Sequence, residues 1–343
     1  MKTQMKRILS GALAAVMMLA LVSCGSKPAS STPAASQPAA SSTPAASEPA
    51  DEGFKFEKDI TVIVPFNPGG DTDVNARLYA ERLSDILGVN VVVQNINGNG
   101  GAAGATEAYN AKNDGRTVLF YHTALVTNFV SGATDFGVDG FELACIAGRN
   151  AGNLVCVKGD SPYQTLEDLL KASNEGNVTF AANAGATTYL MGALLNKAGG
   201  NLNLVDMGGA SERVAALLGG QVDAIPNPLG TAIQYVESGD FRALALLENE
   251  RNGYHDEFLT AKEQGIDCAA PIYYFFAFPK GTDAAIVEAF AAACEEVNAT
   301  ADYAEALEAS GYAQEVFFEK GEDALKIMLA QQDEQLGMKD LLA

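Results

Sequence analysis

The chain has 343 residues and a formal net charge of −21, with 43 acidic residues against 22 Lys and Arg. A surface of that sign is a poor partner for nucleic acid or anionic lipid, because phosphate binding draws on clustered Lys and Arg. His122 and His255 with five widely spaced cysteines, none in a Cys-x-x-Cys pair, leave little material for a zinc site or a histidine-based catalytic centre.

The first segment reads as an export signal. Lys2, Lys6 and Arg7 precede an apolar run from Ile8 to Val22. At about fifteen residues the run has the length of a signal-peptide core and falls short of the about twenty that a membrane span needs. It ends in Leu21-Val22-Ser23-Cys24-Gly25, which resembles a bacterial lipobox. Residues 1–23 are therefore expected to be removed and Cys24 to carry the lipid; an uncleaved anchor with an incidental Cys is the alternative. Residues 24–53 repeat Pro-Ala-Ala-Ser at 33, 38 and 44 and have no apolar face to bury. They are expected to form a partly extended tether, spanning roughly 30 Å as a coil and up to about 90 Å as polyproline. Either way the rest of the chain lies outside the cytoplasm. Cys145, Cys156, Cys268 and Cys294 sit in apolar contexts and are expected as buried thiols, with one disulfide as the alternative.

About 290 residues remain, enough for two domains of ordinary size. Strands are expected at Ile60–Phe66, Val89–Gln94, Thr117–Tyr121, Leu154–Val157, Val178–Ala181, Leu202–Asp206, Ala243–Leu247 and Tyr274–Phe278. Apolar spacing of about 3.6 marks helices at Val74–Leu87, Leu166–Ala172, Tyr189–Ala198, Val214–Leu218 and Ile286–Val297. The alternation predicts an α/β chain with mostly parallel sheets flanked by helices. Val155-Cys156-Val157-Lys158-Gly159 and Phe275-Phe276-Ala277-Phe278-Pro279-Lys280-Gly281 repeat a strand, Lys-Gly turn and helix order. They suggest two crossovers, giving a discontinuous domain at 54–156 plus 275–343 and an inserted one at 157–274, with a ligand cleft between them.

The chemistry lies in the turns from strand to helix. Val64-Pro65-Phe66-Asn67-Pro68-Gly69-Gly70-Asp71-Thr72-Asp73 ends a strand in a Pro/Gly turn, with Thr72 or Asp73 placed to cap a helix. Bare N–H groups at such a start bind an anion without a positive residue. The alternative is a tight turn with nothing bound. Gln94-Asn95-Ile96-Asn97-Gly98-Asn99-Gly100-Gly101-Ala102-Ala103-Gly104 repeats the design. It satisfies the relaxed dinucleotide fingerprint, but it follows the second strand and an exported chain meets little nucleotide, so no cofactor is expected. His122-Thr123-Ala124 offers a third turn at the same edge. Ala182-Asn183-Ala184-Gly185-Ala186-Thr187-Thr188 and Asp206-Met207-Gly208-Gly209-Ala210-Ser211 do so in the second domain. Asp73 and Thr123 are counted among the candidate ligand-binding residues, although Asp73 and Arg77, at i and i+4, equally suit a helix-surface pair or one that orients the loop. Arg149 and Arg213 are candidates for reaching a second carboxylate.

The Pro65-Phe66-x-x-Gly69-Gly70-x-x-Asp73-x-x-Ala76-Arg77 run resembles the opening motif of the tripartite tricarboxylate transporter substrate-binding proteins, the Bug-type receptors. The loop at 95–105, Asp114-Gly115-x-Thr117 and Leu217-Leu218-Gly219-Gly220-Gln221-Val222-Asp223 match in order. The resemblance covers about 54–320. It implies a two-domain clamshell, like a type II periplasmic binding protein, that closes on a carboxylated metabolite. Carried over, backbone amides of Phe66, Gly69, Gly70, Thr72, Gly98, Gly100, Gly101 and Ala102 hold the carboxylate. Ala186, Thr187, Thr188, Gly209, Ala210 and Ser211 complete the site. The family commonly has Pro-Tyr-x-Gly where this chain has Asp206-Met207-Gly208-Gly209, and an acidic Asp206 near the cleft favours a ligand with an amine, such as an amino acid.

The leading expectation is a non-enzymatic receptor, monomeric, without cofactor or metal. It captures a small anionic metabolite (a di- or tricarboxylate or an acidic amino acid) for membrane subunits of the tripartite tricarboxylate type, and touches the membrane through its lipid alone. A lipoprotein sensor for a two-component system is the runner-up. An exported α/β enzyme ranks below it, since no Gly-x-Ser-x-Gly elbow is present.

Overall fold

In the computed structural model, residues 54–251 and 255–341 are described. The export signal, Cys24 and the tether lie outside the described residues. The first lobe opens with β1 (Ile60–Val64), α1 (Asp71–Leu87), β2 (Val91–Asn95), a 3-10 turn (Asn99–Gly101), α2 (Ala102–Tyr109), β3 (Thr117–His122), α3 (Ala124–Val130) and β4 (Phe141–Asn150). The second lobe follows with β5 (Asn153–Lys158), α4 (Leu166–Glu175), β6 (Thr179–Ala182), α5 (Thr187–Lys197), β7 (Asn203–Asp206), α6 (Ala210–Leu218), β8 (Ala224–Pro228), α7 (Leu229–Glu237) and β9 (Phe241–Leu246). The chain then returns through β10 (Tyr273–Pro279) to α8 (Ala284–Asn298), α9 (Ala301–Ala309), β11 (Gln314–Glu315), β12 (Glu319–Lys320) and α10 (Gly321–Leu336).

These strands make two sheets, ordered β11-β4-β10-β3-β1-β2, with β12 also on β4, and β7-β6-β8-β5-β9. The architecture is an α/β clamshell. Strands joined by a helix pair in parallel, as β2-β1-β3 and β7-β6-β8 do. Strands that arrive from the other lobe, β5 and β10, run antiparallel to their neighbours, so both sheets are mixed rather than mostly parallel. The first change of sheet falls at Ala151–Gly152. A boundary drawn between the sheets therefore precedes the Leu154–Val157 run instead of following Cys156.

Each sheet is covered on both faces, which is why its central strands read as unbroken apolar runs. In β5, Val155 and Val157 face one core and Leu154 and Cys156 the other. On the first sheet α1 buries Ala76, Tyr79, Ala80 and Leu83, one helical stripe, against β10 and α9. Tyr79 meets Phe276 at 5.3 Å and Tyr303 at 4.7 Å between ring centroids. The buried hydroxyls are satisfied: Asn298 Nδ2 donates to the Tyr79 hydroxyl at 2.9 Å and Tyr303 donates to Asn75 Oδ1 at 2.8 Å. Cys145, Cys156, Cys268 and Cys294 are free and buried.

Candidate functional site

In the first sheet β2 and β3 flank β1, and in the second β7 and β8 flank β6. Chains leaving the carboxyl ends of such neighbours turn to opposite sides and open a crevice. Phe66, Asp71 and His122 come together where the chain leaves β1 and β3. The Phe66 ring stacks on His122 at 5.1 Å and meets Tyr121 edge-on at 5.6 Å. Burial pulls the His122 pKa down to about 4 against the opposing charge of Asp71, so the ring is neutral at pH 7. Its Nδ1 accepts the Ala124 N–H at 3.1 Å, which leaves the ring proton on Nε2.

Asp73 fixes the first loop. Its carboxylate accepts Gly69 N–H at 2.8 Å, Asn95 Nδ2 at 2.8 Å and Arg77 Nε at 3.0 Å. Asn95 also ties the Phe66 carbonyl at 3.0 Å, so the loop, α1 and β2 become one unit. The second loop is fixed by close approach. Gly101 has φ +98°, and a Cβ there would lie 2.0 Å from the Tyr121 hydroxyl, which donates to the Gly100 carbonyl at 2.8 Å.

The helices that begin at the crevices lack side-chain caps. α1, α2, α5 and α6 start at Gly70, Gly101, Ala186 and Gly209 with no side-chain cap. Away from the crevices α4, α8 and α9 are capped by Thr165, Asp283 and Thr300. α3, α7 and α10 are uncapped as well, so the missing cap matters only in combination with position. The two crevices face each other. A Cβ on Gly100 would stand 3.2 Å from the Gly185 carbonyl, and Asn128 Nδ2 donates to that carbonyl at 2.8 Å.

A buried cation faces the same gap. Arg213, 4% exposed, donates from Nε to the Pro226 carbonyl at 3.1 Å and from Nη1 to the Gly208 carbonyl at 2.9 Å. Burial lowers its pKa to about 10, while the charges of Glu212 and Asp71 pull it up, so it stays protonated at neutral pH. β8 makes room for it. That strand pairs with β6 at Ala224 and then diverges, so Pro226, which lacks an N–H, presents a free carbonyl on that side.

Residues 75–337 match the TctC family, described as the tripartite tricarboxylate transporter family receptor. The chain belongs to this family. A Pseudomonas sp. (strain P51) relative, the UPF0065 protein in the tcbD-tcbE intergenic region, is 31% identical over 74% of this chain and 78% of its own length. Protein BugT of Bordetella pertussis is 32% identical over 67% of this chain and 73% of its own. Among solved structures, a TctC solute-binding protein from Polaromonas superposes with a TM-score of 0.69 at 26% identity, covering 83% of this chain and 98% of that one. MatC from Rhodopseudomonas palustris, seen with malate, has a TM-score of 0.71 at 24% identity, covering 83% and 99%. The TctC fold and family are those of solute-binding receptors.

Within this TctC chain the expected site residues divide by what their polar atoms already do. Gly69 N–H is taken by Asp73, and the Asp73 carboxylate is filled by Gly69, Asn95 and Arg77, so both shape the loop instead of offering free groups. Gly101 and Ala103 N–H close on the Gly98 carbonyl, Ala102 N–H on Asn99, and Ala186 N–H on Asn183. Thr123 is also a tie: its hydroxyl meets Gln331 Oε1 at 3.0 Å and accepts Tyr273 N–H at 3.0 Å, pinning β10 and α10 to the third turn. Thr188 accepts Asn183 N–H at 3.0 Å, and Asp206 accepts Ala184 N–H at 3.0 Å, so Asp206 braces a loop. The amides of Phe66, Gly70, Thr72, Gly98, Gly100, Thr187, Thr188, Gly209, Ala210 and Ser211 have no backbone acceptor among the described residues.

Asp71 escaped the sequence reading. It holds the first position of α1, with Oδ2 accepting the Tyr274 hydroxyl at 2.5 Å, and it lies within electrostatic reach of His122 and Arg213. Its signal was an acid directly after Gly69-Gly70 at an uncapped helix start. Arg149 pairs with Glu315 across β4 and β11, so its charge is already matched.

Proposed function

We propose that this chain is an exported, Cys24-lipidated receptor that captures a small carboxylate between its two lobes and hands it to membrane subunits of the tripartite tricarboxylate type. The observation that carries the proposal is the opposition of the bare start of α1 and the free Gly98 and Gly100 amides against the starts of α5 and α6, beside the protonated Arg213. Charge-assisted hydrogen bonds contribute roughly 1.5–3 kcal/mol each and a helix start about 0.3–1 more. Micromolar affinity takes about 8 kcal/mol, so a handful of such donors suffices despite the acidic surface, which is screened beyond about 10 Å. The bound molecule draws the lobes together and gives the membrane partner a shape to recognise. The lobes follow the two sheets, the first discontinuous in sequence. The receptor acts as a monomer and meets the membrane through its lipid.

The test is a thermal-shift screen of the full chain in mild detergent against mono-, di- and tricarboxylates, malate and adipate included, with acidic amino acids. A ligand at 100 times its Kd stabilises the fold by about 2.7 kcal/mol. A shift from a sugar or a divalent cation, with none from any carboxylate, sinks the proposal. Gly70→Val probes the first loop. Gly70 has φ −84° and a Cβ there meets only the Asn67 carbonyl, at 3.8 Å, so the fold accepts the side chain. Its methyls crowd the bare start of α1, and affinity is expected to fall by about a hundredfold or more with the melting midpoint nearly unchanged. Unchanged affinity removes that loop from the site.

A further inference from the structure

We propose that the captured molecule carries an ammonium group as well as a carboxylate, the ammonium going to Asp71 of the first lobe and the carboxylate to Arg213 of the second. Asp71 is built in as a fixed charge. Its Oδ2 accepts the buried Tyr274 hydroxyl at 2.5 Å, and its carbonyl accepts Gln314 Nε2 at 3.1 Å. Tyr274 is held in turn by Asn150 Nδ2 at 3.3 Å, and Asn150 Oδ1 accepts Gly152 N–H at 2.7 Å, where the chain changes sheets. Among the described residues Oδ1 of Asp71 has only the Thr72 hydroxyl, at 3.4 Å. No cation among them pairs with this carboxylate, whereas Asp73 has Arg77 and Glu315 has Arg149.

Arg213 is its counterpart. It is 4% exposed, anchored through Nε and Nη1, and its Nη2 has no partner among the described residues. Asp71 and Arg213 feel each other's charge yet make no direct ion pair. His122, which also feels Asp71, is neutral and does not balance it, and Tyr312, whose hydroxyl donates to the Gly69 carbonyl, carries no positive charge. Two unpaired charges of opposite sign, one fixed in each lobe, are both satisfied by a zwitterion laid between them. A plain dicarboxylate satisfies Arg213 and the helix starts but sets a second negative charge toward Asp71, with Glu212 already beside Arg213.

Resting on the carboxylate reading above, the inference is tested with matched pairs that differ only at the amine. Titration calorimetry of the full chain compares aspartate with malate and succinate, glutamate with glutarate, and a neutral amino acid with its des-amino acid. The amino member of at least one pair is expected to bind about a hundredfold tighter, because a polar group built for a donor rejects the analogue that lacks it. Asp71→Asn is expected to bring that ratio near one while carboxylate binding persists, and Arg213→Gln to weaken both members. Equal or tighter binding of the des-amino member in every pair overturns the ammonium assignment and leaves the carboxylate receptor standing. No binding of any member overturns both. The wild-type ratios decide the matter even where a variant folds poorly.

Discussion

Asp73→Ala is expected to cost about 2–4 kcal/mol of stability and to abolish ligand capture, because one buried carboxylate organises the whole first loop. Asp73 is 2% exposed and accepts from Gly69, Asn95 and Arg77 at 2.8–3.0 Å. Truncation leaves the Gly69 N–H and the Asn95 amide without their acceptor. The Arg77 share is discounted, since that side chain is half exposed and its pair is partly screened. Burial raises the Asp73 pKa, but hydrogen bonds from Arg77, Gly69 and Asn95 together outweigh it and hold the group below its ordinary 3.8. A depressed carboxylate contributes stability that is fully present above the unfolded value and is lost as pH falls through the folded one. The gap between wild type and variant in urea unfolding should therefore be wide at pH 7 and narrow below about pH 4. A gap of the same width at both pH values contradicts the role given to this carboxylate.

The same residue shows what a sequence does and does not make legible. The i, i+4 spacing of Asp73 and Arg77 gave the pair, and the glycines gave the turns, because both signals are local. That Gly69 N–H points inward to Asp73, and so is not a free amide, depends on the path of the whole loop. Strands with unbroken apolar runs, such as β1, β3 and β10, were visible for the same local reason. β8, Ala-Ile-Pro-Asn-Pro, was not: two prolines argue against a strand, yet it pairs antiparallel with β5 from Ala224 to Pro228. The prolines are tolerated because β6 departs after Ala224, and that departure exposes the carbonyl that anchors Arg213. β4 was missed for another reason. Phe-Glu-Leu-Ala-Cys-Ile-Ala-Gly-Arg-Asn has little intrinsic strand preference and is a strand because β10, far away in sequence, pairs with it. Thus the positions that escaped, β4, β8, Asp71 and Asn128, are those whose conformation or partner is set by segments distant in sequence, while Arg213 was legible as a candidate but its anchors on Pro226 and Gly208 were not.

Glu248→Gln is expected to stabilise the protein increasingly as pH rises, by a few kcal/mol near pH 9 and hardly at all near pH 5. Glu248 follows β9, is 5% exposed, and its Oε1 has no hydrogen-bond partner among the described residues. Burial lifts its pKa from the ordinary 4.5 to about 8; Arg149 pulls it down, and Glu315 adds to the rise. Arg149 does not pair with Glu248 because Glu315, its cross-strand neighbour, already holds it, with Nε donating to Oε2 at 2.6 Å. An acid whose pKa is raised on folding keeps its proton in the native state between the two values. The folded protein then binds more protons than the unfolded one, and stability falls as pH climbs from about 4.5 to about 8. Glutamine keeps the shape without the charge, so the variant lacks that slope. The place makes the charge matter: a Cβ on Gly152, where the chain passes between sheets with φ +111°, would lie 2.7 Å from Glu248 Cγ. Ionised at high pH, Glu248 sits unpaired against that crossing, and a hinge forced to hydrate it is loosened. Melting midpoints from pH 5 to 9 decide between the two outcomes: diverging profiles, by about 2–4 °C for each kcal/mol, support a buried proton at the crossing. Parallel profiles mean that Glu248 is ionised throughout and compensated by Arg149.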